Sequence, residues 1–226
     1  MFFYKLLLDS IAAGMCIALG GFASVGLPKP FNGIVFSAGL VMIILMQLQL
    51  FTGNILRAKD GFTKDVILKY WLFVYIGNFI GCFLTAKIIL FSGFDLSQTV
   101  NIAQTKANLH FMEALYRGIF CNVLVCIAVF LGKRVPTVTA GKVLVIMIPV
   151  TLFVISGFEH SIANMFYFSV GNTSYLNLIP VTIGNIIGGL IVVLFTKDKY
   201  FEEDEIKYIP VVDNNKTSNK ESYINK

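Results

Sequence analysis

The sequence predicts an all-α membrane protein with six transmembrane helices in an inverted three-plus-three repeat, spans two and five being broken. Three observations predict it. Of the 226 residues, 56% are hydrophobic and only 14% are charged, against about 25% charged in a soluble domain. The apolar residues gather into six stretches, each near the roughly 20 residues that a helix needs to cross a bilayer. The halves of the chain also match at an offset of 107 residues, where YIGNFIG at 75–81 meets TIGNIIG at 182–188 with five identities in seven. Three spans per half is an odd number, so the second half runs inverted in the membrane.

Span one covers about 8–27. It reads as a retained helix rather than a cleavable signal peptide, because its apolar run is long, its small-residue cleavage pattern is weak and more spans follow. Span two, about 33–55, is interrupted by LFTGN at 50–54. Span three, about 67–91, carries Gly77-Asn78, and span four covers about 111–131. Span five, about 142–168, is interrupted by GFEHSIAN at 157–164, and span six, about 176–196, carries Gly184-Asn185. The expected organisation is one transmembrane domain over 1–196, with repeat halves of about 1–91 and 106–196. The segment 197–226 alternates charge early, as KDKYFEEDEIK, and then turns polar, which predicts a disordered cytoplasmic tail without a lipidation or retention signal.

Charge placement orients the spans. With the N-terminus inside, the inner loops hold Arg57, Lys59, Lys64, Lys69, Lys133, Arg134 and Lys142, whereas the outer loops hold only Lys29 and Lys106. By the positive-inside rule both termini are cytoplasmic. Cys16, Cys82, Cys121 and Cys126 all fall inside spans and none has metal-ligand spacing. They read as small apolar filler between helices, and neither a metal nor a cofactor is expected.

The breaks are the informative feature. Backbone can leave the helical ladder at membrane depth only where protein buries it or where it lines a cavity. Paired broken segments in the two halves of a membrane protein point to a substrate site near the midplane. At the 107-residue offset Phe51 meets Phe158, so the breaks superpose in that register. His160 lies within the second break, and an intramembrane ionisable group reads as functional by default. The alternative is a packing histidine bonded to a neighbour. Glu159 reads as a cap on broken backbone or the partner of a polar neighbour, and His110 as a vestibule or surface group. For Asn78 and Asn185 the favoured role is hydrogen bonding to broken backbone rather than substrate contact. Gly14, Gly20, Gly21, Gly188 and Gly189 read as helix-packing glycines.

Taken together, AAGMCIALGG at 12–21, LFTGN at 50–54, WLFVYIGN at 71–78, RGIFCNVLVCIAV at 117–129, GFEHSIANM at 157–165 and NLIPVTIGNIIGG at 177–189 resemble the formate/nitrite transporter family, which includes formate, nitrite and hydrosulfide channels. The resemblance covers roughly 8–196. It implies an aquaporin-like fold, a homo-pentamer with one pore per protomer, a bacterial inner-membrane location and no cofactor. It further implies that His160 is the central pore histidine and Thr52 the hydroxyl of the broken loop. Lys106 matches the vestibule lysine, with Asn122 near it. Leu40, Leu50, Phe36 and Phe153 match the narrow points. Without the resemblance, Lys106 reads as a snorkelling interfacial lysine and Phe36 and Phe153 as core aromatics. Gln49 departs from the family, which often has an acidic residue before LFTGN.

The expected activity is passage of a small monovalent anion of a weak acid, formate first. Placing a bare carboxylate in a low-dielectric slot costs tens of kcal/mol. Protonating a carboxylate of reference pKa ~3.5 at pH 7 costs only about 5 kcal/mol. Protonation near an imidazole, whose reference pKa lies near neutrality, is the smaller barrier. Two other classes compete. A water or glycerol channel suits the repeat, but neither break has an Asn-Pro-Ala motif. An enzyme would need more than adjacent His160 and Glu159, and neither a nucleotide loop nor a nucleophile elbow occurs.

Overall fold

The computed structural model describes residues 2–135 and 137–196; the 197–226 tail lies outside them. Nine α-helices occur among the described residues. They are α1 (Phe2–Ser24), α2 (Phe31–Leu45), α3 (Phe51–Asn54), α4 (Lys64–Phe91), α5 (Ser97–Ala107), α6 (Phe111–Arg134), α7 (Ala140–Ile155), α8 (Ser161–Gly171) and α9 (Leu178–Phe195). A 3-10 turn over Ile55–Lys59 continues α3. Four of these helices, α1, α4, α6 and α9, are long and apolar enough to cross a bilayer. Each broken span is a pair: α2 with α3, and α7 with α8. Together these make the six spans expected, and the chain is a multi-pass membrane protein.

Small residues decide how the long helices meet. A Cβ on Gly81 of α4 would overlap the Ile11 carbonyl oxygen of α1, and one on Gly188 of α9 would overlap the Ile119 carbonyl oxygen of α6. Backbone therefore lies against backbone at the α1–α4 and α6–α9 crossings, the close approach that small residues permit where lipid offers no hydrophobic drive. These two crossings are counterparts in the two halves. Tyr75 and Thr182, equivalent positions of the matched YIGN and TIGN segments, touch through their hydroxyls at 2.8 Å. Equivalent positions that touch mark the pseudo-twofold axis.

Helix α5 was not among the expected elements. The stretch SQTVNIAQTKA is too polar to read as a span, and only Thr99 and Ala103 of it are buried. It lies against α8 and carries Lys106 in its last turn. Leu72, Ile88, Phe120 and Leu194 are all more than half exposed, as apolar side chains facing lipid or a neighbouring subunit are.

Candidate functional site

Both breaks are built from the same parts. The first helix of each pair ends in a left-handed residue, Gln47 at φ 56° and Gly157 at φ 70°. Leu48 N–H then donates back to Ile43 O (2.9 Å) and Phe158 N–H to Phe153 O (3.1 Å), while Gln47 N–H reaches Ile44 O and Gly157 N–H reaches Val154 O. This is the Schellman closure, which satisfies carbonyls that a helix end would leave open. Further α7-side carbonyls are met by side chains, Ile155 O by Lys29 Nζ and Gly157 O by Arg117 Nη1. The chain then runs extended through Leu50 (φ −104°, ψ 125°) or His160 (φ −108°, ψ 115°), and each of these caps the next short helix.

The two asparagines of the repeat hold these breaks in place. Asn78 Oδ1 accepts from Phe51 N–H (2.9 Å), and its Nδ2 donates to Ser10 O (2.7 Å) and Gln49 O (2.9 Å). Asn185 Oδ1 accepts from Ser161 N–H (2.9 Å), and its Nδ2 donates to Gly118 O (2.8 Å) and Glu159 O (3.0 Å). Both amides are fully buried, and each meets two backbone groups of a break and one carbonyl of a neighbouring helix, Ser10 O of α1 or Gly118 O of α6. This agrees with a structural role for the pair. It also corrects the register of the breaks, in which Phe51 is equivalent to Ser161 and not to Phe158. The spacing from break to asparagine is 27 residues in the first half and 24 in the second. Three additional residues between break and third span shift the offset from 107 to 110. Under the corrected register Leu50 stands where His160 stands, Gln49 where Glu159 stands, and Asn54 where Asn164 stands.

His160 joins the halves. Its Nε2 lies 3.0 Å from Thr52 Oγ1, across 108 residues of chain, and its Nδ1 accepts from Ala163 N–H at 3.2 Å. Since Nδ1 accepts, the neutral ring carries its proton on Nε2 and donates it to Thr52 Oγ1, which frees the threonine hydroxyl to donate elsewhere. A ring protonated on both nitrogens would lose the Ala163 bond. Phe153 stacks on the imidazole at 5.9 Å and 16°, and Phe36 meets Phe153 edge-on at 5.5 Å.

A vestibule of about 310 Å³ ends on this ring, lined by Phe36, Lys106, Phe153, His160, Asn164 and Tyr167 among others. Thr52, Leu40, Leu50 and Asn122 are buried and do not form part of that lining. Lys106 does not stand alone in it. Its Nζ is 2.7 Å from Glu159 Oε1, with side chains 19% and 2% exposed. Glu159 Oε2 also accepts from Asn164 Nδ2 at 2.7 Å. The ammonium therefore acts as one end of an ion pair, whose field falls off faster than that of a lone charge. Asn122 donates to Thr52 O (3.2 Å) and Asn185 O (2.6 Å), which ties it to the two breaks. His110 is exposed at the start of α6. Among the described residues no group of three His, Cys, Asp or Glu side chains gathers as metal ligands would.

Sequence reasoning passed over Asn164, Tyr167 and the pairing of Gln49 with Tyr70 Oη (2.7 Å). One signal was available. LFTGN and HSIAN each place asparagine four residues after the capping position, and aligning those asparagines gives the 110 offset directly.

An inverted repeat with two braced helix breaks meeting at a buried histidine below a vestibule defines a membrane channel or transporter. The sequence profile of the family described as formate/nitrite transporter matches residues 1–197. The chain belongs to that family, which consists of channels and transporters rather than enzymes. It is 34% identical over 234 residues to the formate channel FocA of Haemophilus influenzae, covering 81% of this chain and 82% of that protein. It is 35% identical over 210 residues to the formate channel FocA of Escherichia coli K12, covering 76% and 73%. A solved pentameric formate channel with formate bound superposes with a TM-score of 0.73 at 30% identity, over 85% of this chain and 95% of that one.

Proposed function

We propose that this protein is a homo-pentameric channel for small monovalent anions of weak acids, formate foremost, with a pore in each protomer and protonation beside His160. The observation that carries the proposal is the His160 Nε2–Thr52 Oγ1 contact of 3.0 Å at the floor of a vestibule that also holds Lys106. The similarity to formate channels, one of them solved as a pentamer, supports both the substrate class and the assembly. The charge bias of the loops supports an orientation with both termini in the cytoplasm, the bacterial formate channels among its relatives support a bacterial inner-membrane location, and residues 1–196 are the single membrane domain of this reading.

In this reading the anion enters beside Lys106, whose pairing with Glu159 keeps it from being held too tightly. At the floor the substrate meets the His160 ring, whose Nε2–H is held by Thr52 behind it so that the threonine hydroxyl is left to donate. A proton taken up from the water of the vestibule neutralises the anion beside the His160 ring, before the anion would have to enter the dry zone, where a bare carboxylate costs tens of kcal/mol. Phe36, Phe153, Leu40 and Leu50 keep that zone free of water, and Asn122 holds the Thr52 carbonyl so that the hydroxyl stays presented. Nitrite and hydrosulfide satisfy the same chemistry, as conjugate bases of weak acids.

The test is uptake of labelled formate, nitrite and hydrosulfide into proteoliposomes at two pH values, with His160→Asn and Lys106→Ala beside the wild type. Formate uptake should fall at least tenfold in His160→Asn, and Lys106→Ala should raise the half-saturating concentration. Wild-type rates in both variants would remove these residues from the mechanism. Swelling in glycerol with no formate uptake would favour the neutral-solute channel instead.

A further inference from the structure

The breaks share a scaffold but differ in one buried pair. At the α8 break, Glu159 accepts from the Lys106 ammonium and the Asn164 amide, each at 2.7 Å. At the α3 break, Gln49 Oε1 accepts from Tyr70 Oη at 2.7 Å and Asn54 Nδ2 at 3.1 Å. An uncharged pair stands where the other half has an ion pair. Gln49 is 6% exposed and Tyr70 5%. The Gln49 carbonyl is held by Asn78, and the Asn54 carbonyl by the indole N–H of Trp71 at 2.9 Å. The residue before Leu50 is thus fixed to α4 and to the far end of α3 at once.

We propose that Gln49 and Tyr70 form a positioning clamp that sets the opening at Leu50 and so the largest anion admitted. This rests on the channel reading above, in which Leu50 is a constriction. The α3 helix has only four residues before it tightens into a 3-10 turn, so it has few internal bonds with which to resist displacement. Removing either partner breaks the bond that ties Gln49 to Tyr70 of α4, and removing Gln49 also takes the acceptor from the buried Asn54 amide, so the start and the far end of α3 are released from the positions the clamp sets. Movement of Asn54 or Gln49 is carried directly to Leu50 and Thr52, which lie between them.

The clamp is tested by comparing formate with acetate, one methyl larger, in proteoliposomes containing the full-length pentamer. The variants are Gln49→Ala, Tyr70→Phe, the double variant and Gln49→Glu, which keeps an acceptor for both donors. The acetate-to-formate flux ratio should rise about tenfold in each of the first two, the scale on which a pocket separates ligands differing by one carbon. The double variant should show no further rise, and Gln49→Glu should keep the wild-type ratio. Tyr70→Phe preserves the ring and decides the matter if Gln49→Ala does not assemble. Unchanged ratios in assembled Tyr70→Phe, or a rise in Gln49→Glu as large as in Gln49→Ala, would overturn the clamp. A wild-type protein that carries no formate would overturn the channel reading instead.

Discussion

Replacing Asn78 or Asn185 by alanine removes the brace from one break at a time, and the structure sets the cost. Each amide makes three hydrogen bonds to buried backbone. A net hydrogen bond contributes about 0.5 to 1.5 kcal/mol, so three sum to about 1.5 to 4.5 kcal/mol, with orphaned partners pushing toward the upper end. Water does not reach these groups at membrane depth to replace the lost partner. Unfolding each variant with SDS in mixed micelles, followed by circular dichroism, measures the loss. The single tryptophan of the chain, Trp71, adds a local readout because its indole N–H is bonded to Asn54 O at the α3 break. Asn78→Ala should shift its native-state emission, whereas Asn185→Ala should leave the emission unchanged at a similar cost in stability. A loss below about 1 kcal/mol in either variant would refute the reasoning, since the three bonds would then contribute less than their smallest sum.

Other substitutions have sharp expectations. Gly188→Ala and Gly81→Ala place a methyl on carbonyl oxygens across the two long-helix crossings, so both should sharply reduce the assembled fraction in size-exclusion chromatography. Gly157→Ala meets nothing nearer than 3.9 Å, so only the left-handed backbone resists it, and the SDS unfolding assay should record a loss of about 1–2 kcal/mol. Gln47→Gly at the equivalent turn relieves the same strain against a smaller entropic cost and should gain about 0.5 kcal/mol.

The span count, the broken spans and the bracing asparagines were legible because each leaves a local trace, in apolar length, in polar residues inside an apolar run, or in a repeated Gly-Asn. The register of the breaks was not, because the first half carries three additional residues between break and third span. A fixed offset read from YIGN and TIGN cannot follow that insertion. Helix α5 was hidden by composition, since a short surface helix with two buried residues shows almost no periodicity. The Lys106–Glu159 pair joins residues 53 positions apart on elements whose docking is a tertiary fact. The bonds of Asn122 were hidden for the same reason, as its partners Thr52 and Asn185 belong to opposite halves.

From the left-handed turn to the capping residue the two breaks share one backbone frame, and they part beyond it, where α3 tightens into a 3-10 turn after four residues while α8 runs for eleven with α5 against it. The two faces of the molecule therefore differ in that short stretch of backbone and in a few side chains, Leu50 against His160 and Gln49 against Glu159 foremost. The difference between the two mouths of this molecule is thus concentrated around a single pair of helix breaks.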